Sequence, residues 1–265
     1  MKFSITAAIA VALAIAATTA SAGVVITQKV NVKTQEGTRK FERTVMVQGH
    51  KQKVVTTDHE VITDLDAGKI YVIKPSIKEF IDAPFPPQRM IINMTVPEGI
   101  AVGFKKSGTA PHKLNGYKCQ DYAGGSTVAH YRVGIIECVA SDAPGAKEFT
   151  EFQRTQADKL KHTLLAQVGE VPDGIPVSSL ITLTGTAMAM TGGIPAEQIA
   201  KLQAELDKKP TITGMNVSKI EAKDLPAAEF VVPADYHRQE VPKLQPGKGP
   251  APGAPAAPAT KPAAH

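Results

Sequence analysis

The 265-residue sequence contains no tryptophan, and aromatic residues make up only 5% of it. It has no Gly-x-Ser-x-Gly elbow, no Ser-x-x-Lys pair, no His-Glu-x-x-His motif and no phosphate-binding glycine loop. Each of these motifs places a nucleophile, a base, a metal ligand or backbone amides where a reaction needs them. Their absence predicts a non-enzymatic protein without catalytic residues and without a cofactor.

Runs of lysine and arginine interleaved with aromatic residues are absent as well. The formal net charge is +5, but Lys2 and three lysines of the C-terminal tail (Lys243, Lys248 and Lys261) contribute four of these charges. The rest of the chain is therefore close to neutral, which argues against nucleic acid as a partner.

Metal-ligand patterns are also missing. The seven histidines never occur at i, i+2 or i, i+4 spacing, so the sequence predicts no metal site. Asp64-Leu65-Asp66-Ala67-Gly68 resembles the start of a calcium loop but lacks the later ligands, which favours a hairpin turn. Met188 and Met190 share a face if they lie on a strand, where packing is favoured over binding of cuprous ion.

The sequence has only two cysteines, Cys119 and Cys138, and no Cys-x-x-Cys redox motif. An even number of cysteines in an exported chain favours a structural disulfide. We expect these two residues to be bonded to each other, each within a neighbouring strand.

The N-terminus has the three parts of a secretory signal peptide. Lys2 is followed by an apolar run from Ile5 to Ala17 and by the small residues Ala20-Ser21-Ala22. This order predicts cleavage between Ala22 and Gly23, and thus a periplasmic or secreted protein. The apolar run is short for a bilayer span of about 20 residues, and no later segment is apolar enough to cross a membrane. No cysteine for lipid attachment lies near the predicted cut.

The last 25 residues, 241–265, contain seven prolines, seven alanines and three glycines, and no acidic residue. Such a composition buries too little apolar surface to offset the entropy of ordering, so we expect a disordered tail. The domain organisation is therefore a signal peptide (1–22), a folded domain (23–240) and this tail.

Residues of the folded domain alternate between apolar and polar over many short segments separated by turns. The alternation is clear from Val24 to Thr34 and from Phe41 to Gln48, and it predicts an antiparallel sheet. Further strands are predicted at 128–140, as one long strand, and at 229–232. Helical spacing of apolar residues predicts helices at 146–168 and 196–207. The fold class is mainly β (α+β).

Four segments resemble an exported bacterial family of unknown function related to the outer-membrane lipoprotein carrier fold. They are the hairpin from Thr63 to Phe80, Gly116-Tyr117-Lys118-Cys119, Gly174-Ile175-Pro176-Val177 and Phe230-Val231-Val232-Pro233-Ala234-Asp235-Tyr236. The resemblance spans residues 24–236 and implies a curved antiparallel half-barrel closed by helices. It supplies no catalytic residues. In lipoprotein carriers the concave face of the sheet holds acyl chains.

These observations predict a non-enzymatic exported protein that binds a lipid, a lipidated protein or another hydrophobic ligand in a concave sheet. The alternative is a structural or envelope-interaction module that acts through its surface and its Pro/Ala-rich tail. A third and weaker alternative is a metal-handling protein that uses Met188 and Met190.

Overall fold

The computed structural model describes residues 23–86, 103–128, 131–160, 171–184 and 210–239, together with positions 197, 201 and 204. The predicted signal peptide (1–22), the tail (241–265), Met188 and Met190 lie outside the described residues. The same is true of most of the second predicted helix, 196–207, so these predictions stay predictions. No described helix is long and apolar enough to span a bilayer.

Strands dominate the described part of the chain, which confirms the mainly β prediction. The strands are β1 (Val24–Lys33), β2 (Thr38–Gln48), β3 (Lys51–Val55), β4 (Glu60–Asp64), β5 (Lys69–Lys74), β6 (Glu79–Pro84), β7 (Gly103–Lys106), β8 (His112–Leu114), β9 (Tyr117–Val128), β10 (Tyr131–Ala140), β11 (Ile175–Thr184), β12 (Thr211–Ala222) and β13 (His237–Arg238). One helix, α1 (Ala146–Leu160), lies between β10 and β11.

All thirteen strands belong to one curved, open sheet. Its order is β13-β6-β5-β4-β3-β2-β1-β12-β11-β10-β9-β7, and β8 pairs with β9 beside this path. Neighbouring strands are antiparallel except for β13 and β6. Because β1 pairs with β12, the two ends of the domain meet in the middle of the sheet. This open sheet with a packed helix agrees with the predicted half-barrel.

Helix α1 begins at the residue predicted for it. Its first turn follows Gly145, whose φ of +74° favours glycine, and an added Cβ there would lie 2.5 Å from Cβ of Val24. Glu148 in this turn accepts a hydrogen bond from the backbone N–H of Gly49. The predicted helix 146–168 is confirmed as far as Leu160, and its remainder lies outside the described residues.

Two apolar cores form on opposite sides of the sheet. On one side, Phe152 of α1 packs with residues of the central strands, including Val24, Ile26 and Val47. On the other side, Leu225 and Phe230 of the C-terminal segment pack against β2, β4, β5 and β6. We call the side that α1 covers the inner face and the opposite side the outer face.

Two strand predictions differ from the structure. The predicted strand 128–140 is confirmed over Tyr131–Ala140, which form β10, but Val128 is the last residue of the preceding strand β9 and pairs with Tyr131. Positions 129 and 130 hold neither a glycine nor a proline, so the sequence does not mark this boundary. Residues 227–230 form a short 3-10 helix instead of the start of a strand at 229–232. The reason is tertiary packing: Phe230 is buried in the outer core, and the N–H of Glu229 donates to the carbonyl of Pro226.

Candidate functional site

A row of aliphatic side chains crosses the inner face from the centre of the sheet to β6. Val45 is paired in turn with Val54, Val61, Val72 and Ile81 on successive antiparallel strands. Directly paired residues point to the same side of a sheet. The last four side chains are only half-buried, so this part of the inner face presents apolar surface.

The other half of the sheet continues the inner face with a second row. Phe104 of β7 is paired with Gly124 of β9, which is paired in turn with Ile135 and Ile181. An added Cβ on Gly124 would lie 3.0 Å from Cδ1 of Phe104, closer than ordinary van der Waals contact. Glycine therefore allows the aromatic ring of Phe104 to lie against the sheet.

A cavity of about 450 Å³ lies between this part of the sheet and the C-terminal half of α1. This volume is within the range of small-molecule sites, which is about 300–1,000 Å³. Its walls come from β7, β9, α1 and the segment before β11, and the lining residues are Phe104, Lys106, Tyr122, Arg154, Val171, Pro172 and Asp173. Aromatic rings and charged groups thus face the same space.

Basic groups lie at the cavity and near the centre of the inner face. Arg154 at the cavity pairs with Asp173 at 2.5 Å, and Lys106 lines the same cavity. On β2, Nε of Arg43 donates to Oε1 of Gln28 at 2.7 Å, and burial lowers the pKa of Arg43. This combination of cations with apolar surface suits an amphiphilic ligand better than a purely apolar one.

Glu137 of β10 lies on the inner face, next to Tyr122 of the cavity wall. It is paired with Tyr122 on one side and with Ser179 on the other. Burial raises the pKa of the Glu137 carboxyl, and the hydrogen bond from Oγ of Ser179, at 3.1 Å, offsets only part of this effect. The carboxyl group is thus easier to protonate in the folded chain than in water.

We expect the free energy of unfolding to depend on pH through the carboxyl group of Glu137. The pKa of Glu137 in the folded state lies above its ordinary value of 4.5. As the pH rises from 4.5 through the raised pKa, the folded state therefore binds more protons than the unfolded state. The free energy of unfolding therefore falls over this window. Glu137→Gln removes the titration, so the variant should gain stability relative to wild type between pH 4 and pH 8 in urea denaturation. The exposed Glu151 on α1 offers the matched control, Glu151→Gln, and an equal gain there would contradict the prediction.

The residues that the sequence analysis singled out include two cysteines, Gly23 and Asp64, and all of these lie within the described residues. Sγ of Cys119 and Sγ of Cys138 are 2.05 Å apart and join β9 to β10 as a disulfide. Gly23 precedes β1, and its carbonyl accepts a hydrogen bond from the N–H of Lys223. Asp64 accepts from the N–H of Ala67 in the β4–β5 turn and pairs with Lys51, which agrees with a turn rather than a calcium loop.

Sequence reasoning missed the residues that meet through strand pairing. No motif connects Phe104, Tyr122 and Arg154, because they lie on three elements far apart in sequence. The spacing of the histidines in the sequence leaves His112 without a neighbouring ligand, yet its Nε2 lies 3.6 Å from Sγ of Cys138. The alternation of β9 and β10 was the only available signal for these contacts, and it does not specify strand register.

No protein-family model matches the sequence, and no curated protein matches it either. Among solved structures, one of PNGF-II is similar with 6% identity and a TM-score of 0.38, and the match covers 83% of this chain and 31% of that one. The chain thus spans less than a third of the length of that protein.

Two further structures are of proteins closer in length. A LolA superfamily protein from Nitrosomonas europaea is 8% identical with a TM-score of 0.30, and the match covers 80% of this chain and 90% of that one. A DUF1329 family protein from Desulfovibrio piger has 8% identity, the same two coverages and a TM-score of 0.34. All three TM-scores lie below 0.5, so the function proposed below is supported by the geometry of this chain.

Proposed function

We propose that the protein binds a lipid or another amphiphile, without enzymatic activity, on its inner face. The observation that carries this proposal is the cavity between the sheet and α1, which is bounded by Phe104, Tyr122 and two cations. Burial of an acyl chain contributes about 0.8 kcal/mol per methylene group. A chain that is only partly enclosed by the cavity is therefore still bound more favourably than it is solvated. Lys106 and Arg154 are placed to meet the polar end of such a ligand.

The aliphatic row from Val54 to Ile81 extends the surface available to a long chain. Its side chains lie on the same face as the cavity but on the opposite half of the sheet. The inner face therefore offers a second apolar surface in addition to the cavity. We place this function in the periplasm or outside the cell, in a mature protein that begins at Gly23, with a lipid or a lipidated protein as partner.

The test combines lipid extraction with a binding titration on the full mature chain. Purified protein is extracted and its lipids are identified by mass spectrometry, and the delipidated protein is titrated with N-phenyl-1-naphthylamine, a dye that fluoresces in apolar sites. Gly124→Val should displace the Phe104 ring at a cost of about 1–3 kcal/mol. We therefore expect dye affinity to fall about tenfold, which corresponds to about 1.4 kcal/mol.

The matched control is Gly134→Val on the neighbouring strand β10. Gly134 lies on the outer face, and an added Cβ there meets no atom within 4 Å. This variant should bind the dye like wild type. Absence of both bound lipid and saturable dye binding would refute the proposal and favour the interaction module. Equal weakening in both glycine variants would place the binding site elsewhere.

A further inference from the structure

A second group of reactive side chains gathers where β8, β9 and β10 pair. His112 is paired with Cys119, and Cys138 is paired with Asp121. Cys119 and Asp121 are two residues apart on β9 and point to the same side of the sheet. Strand pairing thus brings an imidazole, two sulfur atoms and a carboxylate together, although 26 residues separate His112 from Cys138 in the sequence.

The distances within this group match those of a metal site. The ligand atoms of His112, Cys119 and Cys138 all lie within 4.8 Å of one another. Nε2 of His112 is 3.6 Å from Sγ of Cys138. In a tetrahedral site, bonds of about 2.3 Å to sulfur and about 2.0 Å to nitrogen put these two ligand atoms about 3.5 Å apart. The observed distance between Nε2 of His112 and Sγ of Cys138 therefore already matches that between two ligands of one metal ion.

The surroundings of His112 support the same conclusion. Nδ1 of His112 lies 3.8 Å from Oδ2 of Asp121, and this carboxylate oxygen accepts a hydrogen bond from Oγ1 of Thr109 at 3.1 Å. A carboxylate beside the non-ligating nitrogen is the usual way to orient a metal-binding imidazole. Both cysteines are buried, whereas 45% of the His112 side chain is exposed, so an ion can enter from the histidine side.

We propose that Cys119, Cys138 and His112 form a redox-controlled site for a thiophilic cation such as Zn²⁺ or Cu⁺. In the oxidised chain the disulfide withholds both sulfur ligands. A thiol reductant transfers two electrons and two protons to the disulfide and is itself oxidised to a disulfide, and this exchange yields two cysteine thiols. The cation then displaces the two thiol protons and binds two thiolates and Nε2 of His112.

The Cα atoms of the two cysteines are 5.4 Å apart, so side-chain rotation alone can separate the sulfur atoms to the distance of about 3.8 Å that a tetrahedral ion requires. Three protein ligands leave the fourth position for water or an exchanging ligand. Such an open site suits a cation that is taken up and released. This function is independent of amphiphile binding, because none of the three ligands lines the cavity.

The test uses Co²⁺ as a spectroscopic substitute for Zn²⁺ on the full chain, without oxygen. Oxidised protein and protein reduced with a phosphine, which does not itself supply thiols, are titrated in parallel. We expect one equivalent of Co²⁺ to bind only after reduction, with a thiolate-to-cobalt charge-transfer band. His112→Ala should weaken binding at least tenfold. His50→Ala is the matched control, because His50 also contacts a carboxylate, that of Asp66, but no sulfur atom.

Circular dichroism of the reduced protein distinguishes a folded site from thiols on an unfolded chain. A folded reduced protein whose charge-transfer band depends on His112 supports the proposal. The proposal is overturned if the reduced chain is unfolded, if it binds no Co²⁺, or if His112→Ala binds as tightly as wild type.

Discussion

Replacing Phe152 by alanine is expected to lower the free energy of unfolding by about 3–5 kcal/mol, the usual cost of deleting a buried phenylalanine ring. Phe152 is 0% exposed and is among the largest fully buried side chains of the described core. It attaches α1 to the sheet through β1 and β2, so its loss leaves a void between the two layers. Urea denaturation at neutral pH measures the effect as a lower midpoint with an unchanged slope.

Phe149→Ala provides a control on the same helix. Phe149 packs against the same core but is only partly buried. Because less apolar area is removed from water at this position, its substitution should cost clearly less than that of Phe152. Equal losses in the two variants would mean that α1 does not pack on the sheet as described. Since α1 also forms one wall of the cavity, Phe152→Ala should weaken dye binding as well.

Reduction of the Cys119–Cys138 disulfide is expected to lower the free energy of unfolding by about 3 kcal/mol. The reason is that a cross-link closing a loop of this length lowers the conformational entropy of the unfolded chain, and reduction restores that entropy. The two cysteines are 19 residues apart in the sequence and join β9 to β10. Urea denaturation of the same protein with and without a phosphine reductant, in the presence of a chelator, isolates the contribution of the cross-link. The side chains remain in place, so no cavity effect is added.

The Cys119→Ala, Cys138→Ala double variant is the control for this experiment. It has no disulfide to reduce, and its denaturation curve should be the same with and without the phosphine. A wild-type curve that is equally insensitive would show that the disulfide does not stabilise the fold. Mass spectrometry after alkylation checks that the untreated wild-type protein has no free thiol, as the structure indicates for its cysteines.

Local patterns predicted the individual elements well, for a physical reason. In β1, Val24, Ile26 and Val30 are buried and Lys29 is exposed, as the alternation indicates. A strand that is buried on one face needs that alternation, and a helix that packs on a sheet needs Phe149 and Phe152 on one side. These requirements act between near neighbours, so they can be recognised in the sequence without knowledge of the partner strand.

Local sequence patterns do not predict contacts between segments that are far apart in the sequence. β1 pairs with β12 through a bulge between Thr27 and Gln28, and a shift of one residue would have reversed every side chain beyond it. The same dependence on register decides that Glu137 faces Tyr122 and that His112 faces Cys119. Alternation shows that two residues share a face of their own strand, but not which residues of another strand they meet.

The sequence by itself determined the mainly β class, the start of α1, the hairpin turn at Asp64–Gly68 and the absence of familiar catalytic motifs. These follow from periodicity and turn chemistry over a few residues. Only the tertiary structure decided that Phe104, Tyr122 and Arg154 bound one cavity, and that His112 stands beside the two cysteines. Both sites depend on strand order and register, which are set by the packing of the whole sheet against α1 and the C-terminal segment.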